Sequence, residues 1–421
     1  MTTELLQQVR VIDPVSQTDQ VVDVLIADNL IKAIDTEIKD ISSDTGIHDC
    51  RGLILGTGLV DLYSHSGEPG FEERETLTSF LQAAAAGGFT RVNILPDTSP
   101  PIDNPALVAQ LQQQKLKEGE KTFPHLHVWG AITLELAGKQ LTELGDLAAA
   151  GVVGFTDGLP GENLGLVRRV LEYLQPLGKP VAFWPCDRLL TANGMMREGA
   201  DALRFGLPPI PASAETSALA ALLELVAAIG TPVHIMRVST ARSVELIATA
   251  KAQGVPVTAS TTWMHLLLDT KAIKSYHTAL HLDPPLGNPS DLAALREGVR
   301  TGVIDAIAID HAPYTYEEKV QAFAESPPGA IGLELALPLL WQNLVETGEF
   351  TALELWRALS SHPATCLQGE VKAISPGAKA ELTLFDPQKT WTVNRQNLYT
   401  LSHNTPWFEQ ELTGKVVKIW C

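Results

Sequence analysis

Histidine and aspartate are the side chains that hold divalent metals and carry protons near neutral pH, and two short stretches of this chain concentrate them. One reads Asp61-Leu62-Tyr63-Ser64-His65-Ser66-Gly67-Glu68-Pro69-Gly70, the other Asp310-His311-Ala312-Pro313-Tyr314. Each follows an apolar, strand-forming run, and barrel enzymes carry their chemistry where such strands end. Asp157, closing "GVVGFTD", and Arg237, in "TPVHIMRVS", stand at similar positions. Cys50, Cys186, Cys366 and Cys421 are scattered and form no CxxC pair. That spacing argues against a zinc ribbon or a disulfide framework and fits a reducing cytoplasm.

Apolar runs alternating with alanine- and leucine-rich helical stretches are the pattern of a parallel sheet covered by helices. Eight strands can be counted, ending at Asp61, Pro96, Leu134, Asp157, Pro185, Ser239, Trp263 and Pro313, with helices such as Glu215–Ile229 and Thr240–Gln253 between them. The leading expectation is a (β/α)₈ TIM barrel, with a doubly wound sheet second. Ahead of the barrel, "VRVID" and "VVDVLIADNLIKAI" read as strands with a hairpin at Asp28-Asn29. After it, "AELTLFDP" and "KVVKIWC" return to β character. Both termini are therefore expected to build one small composite β domain, from residues 1–55 and 363–421, beside a barrel over 56–362.

A length of 421 residues with 45% hydrophobic and 19% charged residues suits a large folded barrel without extended disorder. The net charge of -18 opposes phosphate backbones and anionic lipid, so nucleic acid and membrane are poor partners. No apolar run reaches spanning length. A soluble, cytoplasmic protein is expected, with self-association open.

The two polar stretches resemble the dihydroorotase branch of the amidohydrolases, whose first strand reads Asp-x-His-x-His-x-Arg-Glu-Pro-Gly and whose eighth reads Asp-His-Ala-Pro-His. Further matches extend this over nearly the whole chain: "LPDTSPPIDNP", "VVGFTDG", "HIMRVST", "LDPPLG", "SPPGAIGLE", "SPGAKAELTLFDP" and "SHNTP" are similar to family landmarks in order. The resemblance implies one or two divalent metals that generate hydroxide, and an aspartate that shuttles protons. It also locates departures. Of the first-strand histidines one is Tyr63 and the other His65; the fifth-strand histidine is Trp184 and the sixth-strand histidine is Arg237, a permanent cation. His65, Asp157 and Asp310 remain as a residual metal set. On the substrate side the arginine position holds Gly67, two asparagine positions hold Asp97 and Asp283, a further arginine is Gly287, and Tyr314 replaces a histidine. Removing an arginine fork while adding carboxylates repels an anionic substrate.

The resemblance places the chain in pyrimidine biosynthesis, where degenerate homologues serve as non-catalytic partners of aspartate carbamoyltransferase. The favoured reading is a structural or regulatory subunit with no cofactor. The competing one is a cyclic amidohydrolase with a single zinc on His65, Asp157 and Asp310. A third is a binding module whose mouth takes a cationic ligand at Asp97 and Asp283. For the centre itself, Arg237 is expected to replace the metal's charge by pairing with Asp310 or Asp157, while Tyr63 and Trp184 fill the remaining volume. His311, His234 and His265 are expected to serve packing or hydrogen bonding.

Overall fold

The computed structural model describes residues 3–39, 41–117, 123–161 and 163–421. The strands, in chain order, are β1 (Thr3–Asp13), β2 (Thr18–Ala27), β3 (Leu30–Asp35), β4 (Gly46–Asp49), β5 (Ile54–Thr57), β6 (Leu59–Val60), β7 (Phe89–Ile94), β8 (His125–Gly130), β9 (Gly154–Phe155), β10 (Val181–Phe183), β11 (Met196–Arg197), β12 (Pro209–Ile210), β13 (Val233–Ile235), β14 (Val257–Thr262), β15 (Ala306–Ala308), β16 (Leu382–Thr392) and β17 (Glu411–Trp420).

Eight of these form a sheet in the order β15-β14-β13-β10-β9-β8-β7-β6. Every neighbouring pair in it is parallel. The two edge strands meet just past their C-terminal ends, where Asp310 N donates to Tyr63 O at 3.1 Å and His65 N donates to His311 O at 2.8 Å. All eight expected strands are present, and the architecture is a TIM barrel. Parallel strands need long crossovers, supplied by helices such as Ser213–Ile229 and Ala241–Ala252. Thr240 caps the latter by accepting from Ser243 N.

The second sheet runs β17-β16-β5-β1-β2-β3, with β4 also on β1. β5 pairs antiparallel with β16, so the chain's two ends build one sheet. The β2–β3 hairpin turns on Asp28 and Asn29 at φ 53° and 57°, the left-handed pair of a type I′ turn. The run "LILGTGLVD", read as one strand, is divided: β5 belongs to this sheet and β6 to the barrel. The small β11–β12 pair was not anticipated; it sits in the crossover between the fifth and sixth barrel strands.

Candidate active site

Barrel strands deliver their last side chains to the mouth, and two of them do so through unusual backbone. Arg237 after β13 has φ 55° and Asp310 after β15 has φ 51°, a region that non-glycine residues enter at a cost of about 1–3 kcal/mol. The two side chains meet there. Arg237 Nε donates to Asp310 Oδ2 at 2.8 Å and Nη2 donates to Oδ1 at 2.7 Å, a bidentate fork. Nη1 donates to Gly158 O at 2.9 Å. The guanidinium lies 4.7 Å from the Trp184 ring centroid and 5.7 Å from that of Tyr63.

Trp184 and Tyr63 are both buried. Tyr63 Oη accepts from Arg237 N at 3.1 Å and lies 2.9 Å from Ser260 Oγ. Burial, with Asp310 nearby, pushes this phenol well above its ordinary range, so it stays neutral. For Asp310 burial works in the opposite direction from its neighbours, and the charges of Arg237 and His65 win, holding the carboxyl far below the usual carboxylate range. Arg237 keeps its charge because Asp310 outweighs the burial penalty.

His65 completes the cluster. Its Nδ1 is 2.5 Å from Asp97 Oδ2 and its Nε2 is 3.5 Å from Asp310 Oδ1. Burial would lower its pKa, but Asp97 and Asp310 raise it to about 9. A cationic imidazole donates from both nitrogens. The 3.2 Å approach of Arg237 Nη2 to His65 Nε2 is then packing between two cations that share Asp310.

Asp157 is elsewhere. Its carboxylate accepts from Ile132 N at 2.8 Å, Thr133 N at 2.9 Å and Thr133 Oγ1 at 2.7 Å, which fastens it to the end of β8. The fourth strand end gives the centre the carbonyl of Gly158, not the carboxylate of Asp157. The residual set His65, Asp157 and Asp310 is therefore not assembled as ligands. Among the described residues no group of three or more His, Cys, Asp or Glu side chains is arranged to hold a metal ion. The metal that the family pattern implies does not fit these residues. Its position holds a guanidinium, an indole and a protonated phenol, none of which can ligate, while His65 and Asp310 beside them are engaged by Asp97 and Arg237.

The substrate side is closed by backbone as well as by side-chain change. A Cβ added at Gly67 would lie 2.3 Å from Glu75 O and 2.6 Å from Phe71 O, and one at Gly287 would lie 2.5 Å from Asp291 Cβ. Neither glycine marks a vacant arginine site. Asp97 and Asp283, read as available for a cationic ligand, already have internal cations: His65 for the first and Arg188 for the second, at 2.7 Å from Asp283 Oδ2. Arg188, which also lies 4.9 Å from the Trp184 ring centroid, went unread in the sequence. Its only signal was a cation four residues past Trp184. Tyr314 lines the same mouth, with Arg74 4.9 Å from its ring centroid. The remaining mouth cavity is about 230 Å³.

His234, His265 and His311 are engaged in buried hydrogen bonds. His234 bridges Thr258 and Ser260, each at 2.9 Å. His265 lies between Thr262 and the Pro285 carbonyl. His311 Nδ1 accepts from Gly332 N at 3.1 Å, leaving Nε2 to donate toward the buried Glu75 at 3.4 Å.

A family model described as Dihydro-orotase-like matches residues 52–243, and one described as Amidohydrolase family matches 208–421. The chain is 45% identical to a probable dihydroorotase-like protein of Synechocystis sp., over 99% of both chains. The chain belongs to the dihydroorotase-like family. Another relative is a protein named dihydroorotase from Pelotomaculum thermopropionicum, 40% identical over 96% of this chain and 93% of that one. The L-hydantoinase (dihydropyrimidinase) of Arthrobacter aurescens superposes with a TM-score of 0.85 at 20% identity, covering 99% of this chain and 94% of that one, which shows a shared fold. Among the described residues, no helix of this dihydroorotase-like chain is long and apolar enough to cross a membrane.

Proposed function

We propose that this dihydroorotase-like protein does not hydrolyse dihydroorotate and acts in pyrimidine biosynthesis as a structural or regulatory partner of aspartate carbamoyltransferase. The observation that carries the first half is the Arg237–Asp310 fork. A carboxylate that must shuttle protons needs basicity near working pH. With both Asp310 oxygens accepting from one guanidinium, that basicity is gone. Tyr63 and Trp184 close the volume around the fork, and Gly67 and Gly287 leave no clamp for a substrate carboxylate. These losses act on different steps, so Tyr63→His alone is expected to restore nothing.

Assaying the purified chain for dihydroorotate hydrolysis, with and without added zinc, tests this. Turnover indistinguishable from the uncatalysed rate is expected. The 40% identity to a protein named dihydroorotase favours the competing reading, a single-zinc hydrolase on His65, Asp157 and Asp310. That reading requires Asp157 to leave Thr133, and robust zinc-dependent turnover would establish it in place of ours.

The partnership rests on family analogy and on a whole barrel kept without its reacting groups. Light scattering of the chain mixed with aspartate carbamoyltransferase at micromolar concentration should give one species of summed mass. Two separate peaks would count against the partnership and leave the inactive centre untouched.

A further inference from the structure

The N-terminal end of a TIM barrel is ordinarily packed with branched apolar side chains that contribute stability. Here that end is polar. Arg91 and Asn93 alternate with Val92 and Ile94 along β7, as His125 and His127 alternate with Leu126 and Val128 along β8. The polar members line a cavity of about 420 Å³, which Lys379 and Glu381 border from the composite sheet. His127 is exposed, although Val128, Trp129 and Gly130 directly after it are buried, so the cavity is open to solvent.

Two features of the lining are unbalanced. Arg91, Lys372 and Lys379 face Glu370 and Glu381, a local excess of one cation in a chain of net charge -18. Arg91 is closed on Glu381 by a fork at 2.6 and 2.7 Å, and Lys372 lies 3.0 Å from Glu370. Lys379 approaches His125 Nε2 at 3.3 Å and has no carboxylate in salt-bridge range among the described residues. The second feature is Asn93, which is fully buried. Its Nδ2 donates to Asp61 O at 2.5 Å, which fixes the amide's orientation and leaves Oδ1 an acceptor with no donor. A buried group left in that state costs free energy that a ligand's donor would recover.

We propose that this end of the barrel is a binding site, separate from the mouth, for a small oxyanion that still carries a proton, the hydrogen-phosphate class. The anion's charge answers Lys379, and its O–H supplies the donor that Asn93 Oδ1 lacks. Sulfate has a similar shape and charge but no proton, so it distinguishes this recognition from simple ion pairing.

Isothermal titration of the full chain with inorganic phosphate and with sulfate, at pH 6 and matched ionic strength, tests the site. Phosphate is expected to bind at least about tenfold more tightly than sulfate. Lys379→Met, at an exposed position, should weaken phosphate binding about tenfold without lowering the melting temperature. A phosphate monoester titrated alongside separates the sources: tighter binding than free phosphate assigns an ester, weaker binding the free ion. Equal binding of phosphate and sulfate, no phosphate binding at millimolar concentration, or a Lys379→Met variant that binds like the native chain would each overturn the proposal.

Discussion

Replacing Arg237 by alanine is the most direct probe of the centre. Its side chain is 4% exposed and that of Asp310 15%, so the pair is largely out of water. Breaking a buried pair by removing one partner costs about 3–5 kcal/mol, because the remaining charge stays buried without compensation. Three interactions go at once: the fork to Asp310, the bond to Gly158 O and the stacking on Trp184. His65 stays 3.5 Å from Asp310 as a second cation, which puts the expectation at the lower end, about 3 kcal/mol. With an unfolding entropy of about 2.1 cal/mol/K per residue, a 421-residue chain should melt about 3–4 °C lower. The pairing itself is read from a double-mutant cycle with Asp310→Asn in urea. Arg237→Ala should cost much less when residue 310 is already an amide, with a coupling of about 2 kcal/mol. A loss below about 1 kcal/mol, or additive single effects, would refute a buried charge-replacing pair.

His65 sets a pH dependence. Its folded pKa of about 9 stands above the unfolded value of about 6.5, so its contribution is complete below about pH 6.5 and lost as pH rises through 9. Urea midpoints measured from pH 6 to 10 should fall by the equivalent of about 3 kcal/mol, and the fall should vanish in His65→Gln; an equal fall in that variant counts against the assignment. At Gly67, alanine should destabilise by about 1–3 kcal/mol because its Cβ meets the Glu75 and Phe71 carbonyls. An unchanged denaturation curve would show that the loop opens freely.

The eight barrel strands were legible because short apolar or β-branched runs alternate with helical stretches, the pattern of a parallel sheet covered by helices. The composite sheet was legible from β-rich ends that had no other partner. Arg237 finding Asp310 followed from elementary electrostatics, since a guanidinium at a ligand position must be compensated and only a carboxylate nearby can do it. What the residues did not disclose was direction. Asp157 stands where a metal ligand is expected, yet it turns to the amides of Ile132 and Thr133, because those two N–H groups at the end of β8 offer a ready anion cradle. The pairs His65–Asp97 and Arg188–Asp283 join residues 32 and 95 positions apart, and nothing in their local sequence marks them as neighbours.

Those pairs change the meaning of the substitutions. Asp97 and Asp283 stand where the family pattern has neutral asparagines, and taken singly they would load the mouth with negative charge. In the structure Arg237, His65 and Arg188 face Asp310, Asp97 and Asp283, three cations against three carboxylates. A mouth balanced in this way offers no net charge to a carboxylate or to a divalent cation. It also resists piecemeal reversal. Arg237→His removes the permanent charge and leaves Asp310 to a protonated His65, whose own charge is already divided with Asp97. Asp97→Asn removes the larger support for His65's charge, which lowers its pKa and weakens its hold on Asp310. Both of these reversions toward the family pattern therefore leave a buried charge short of its partner.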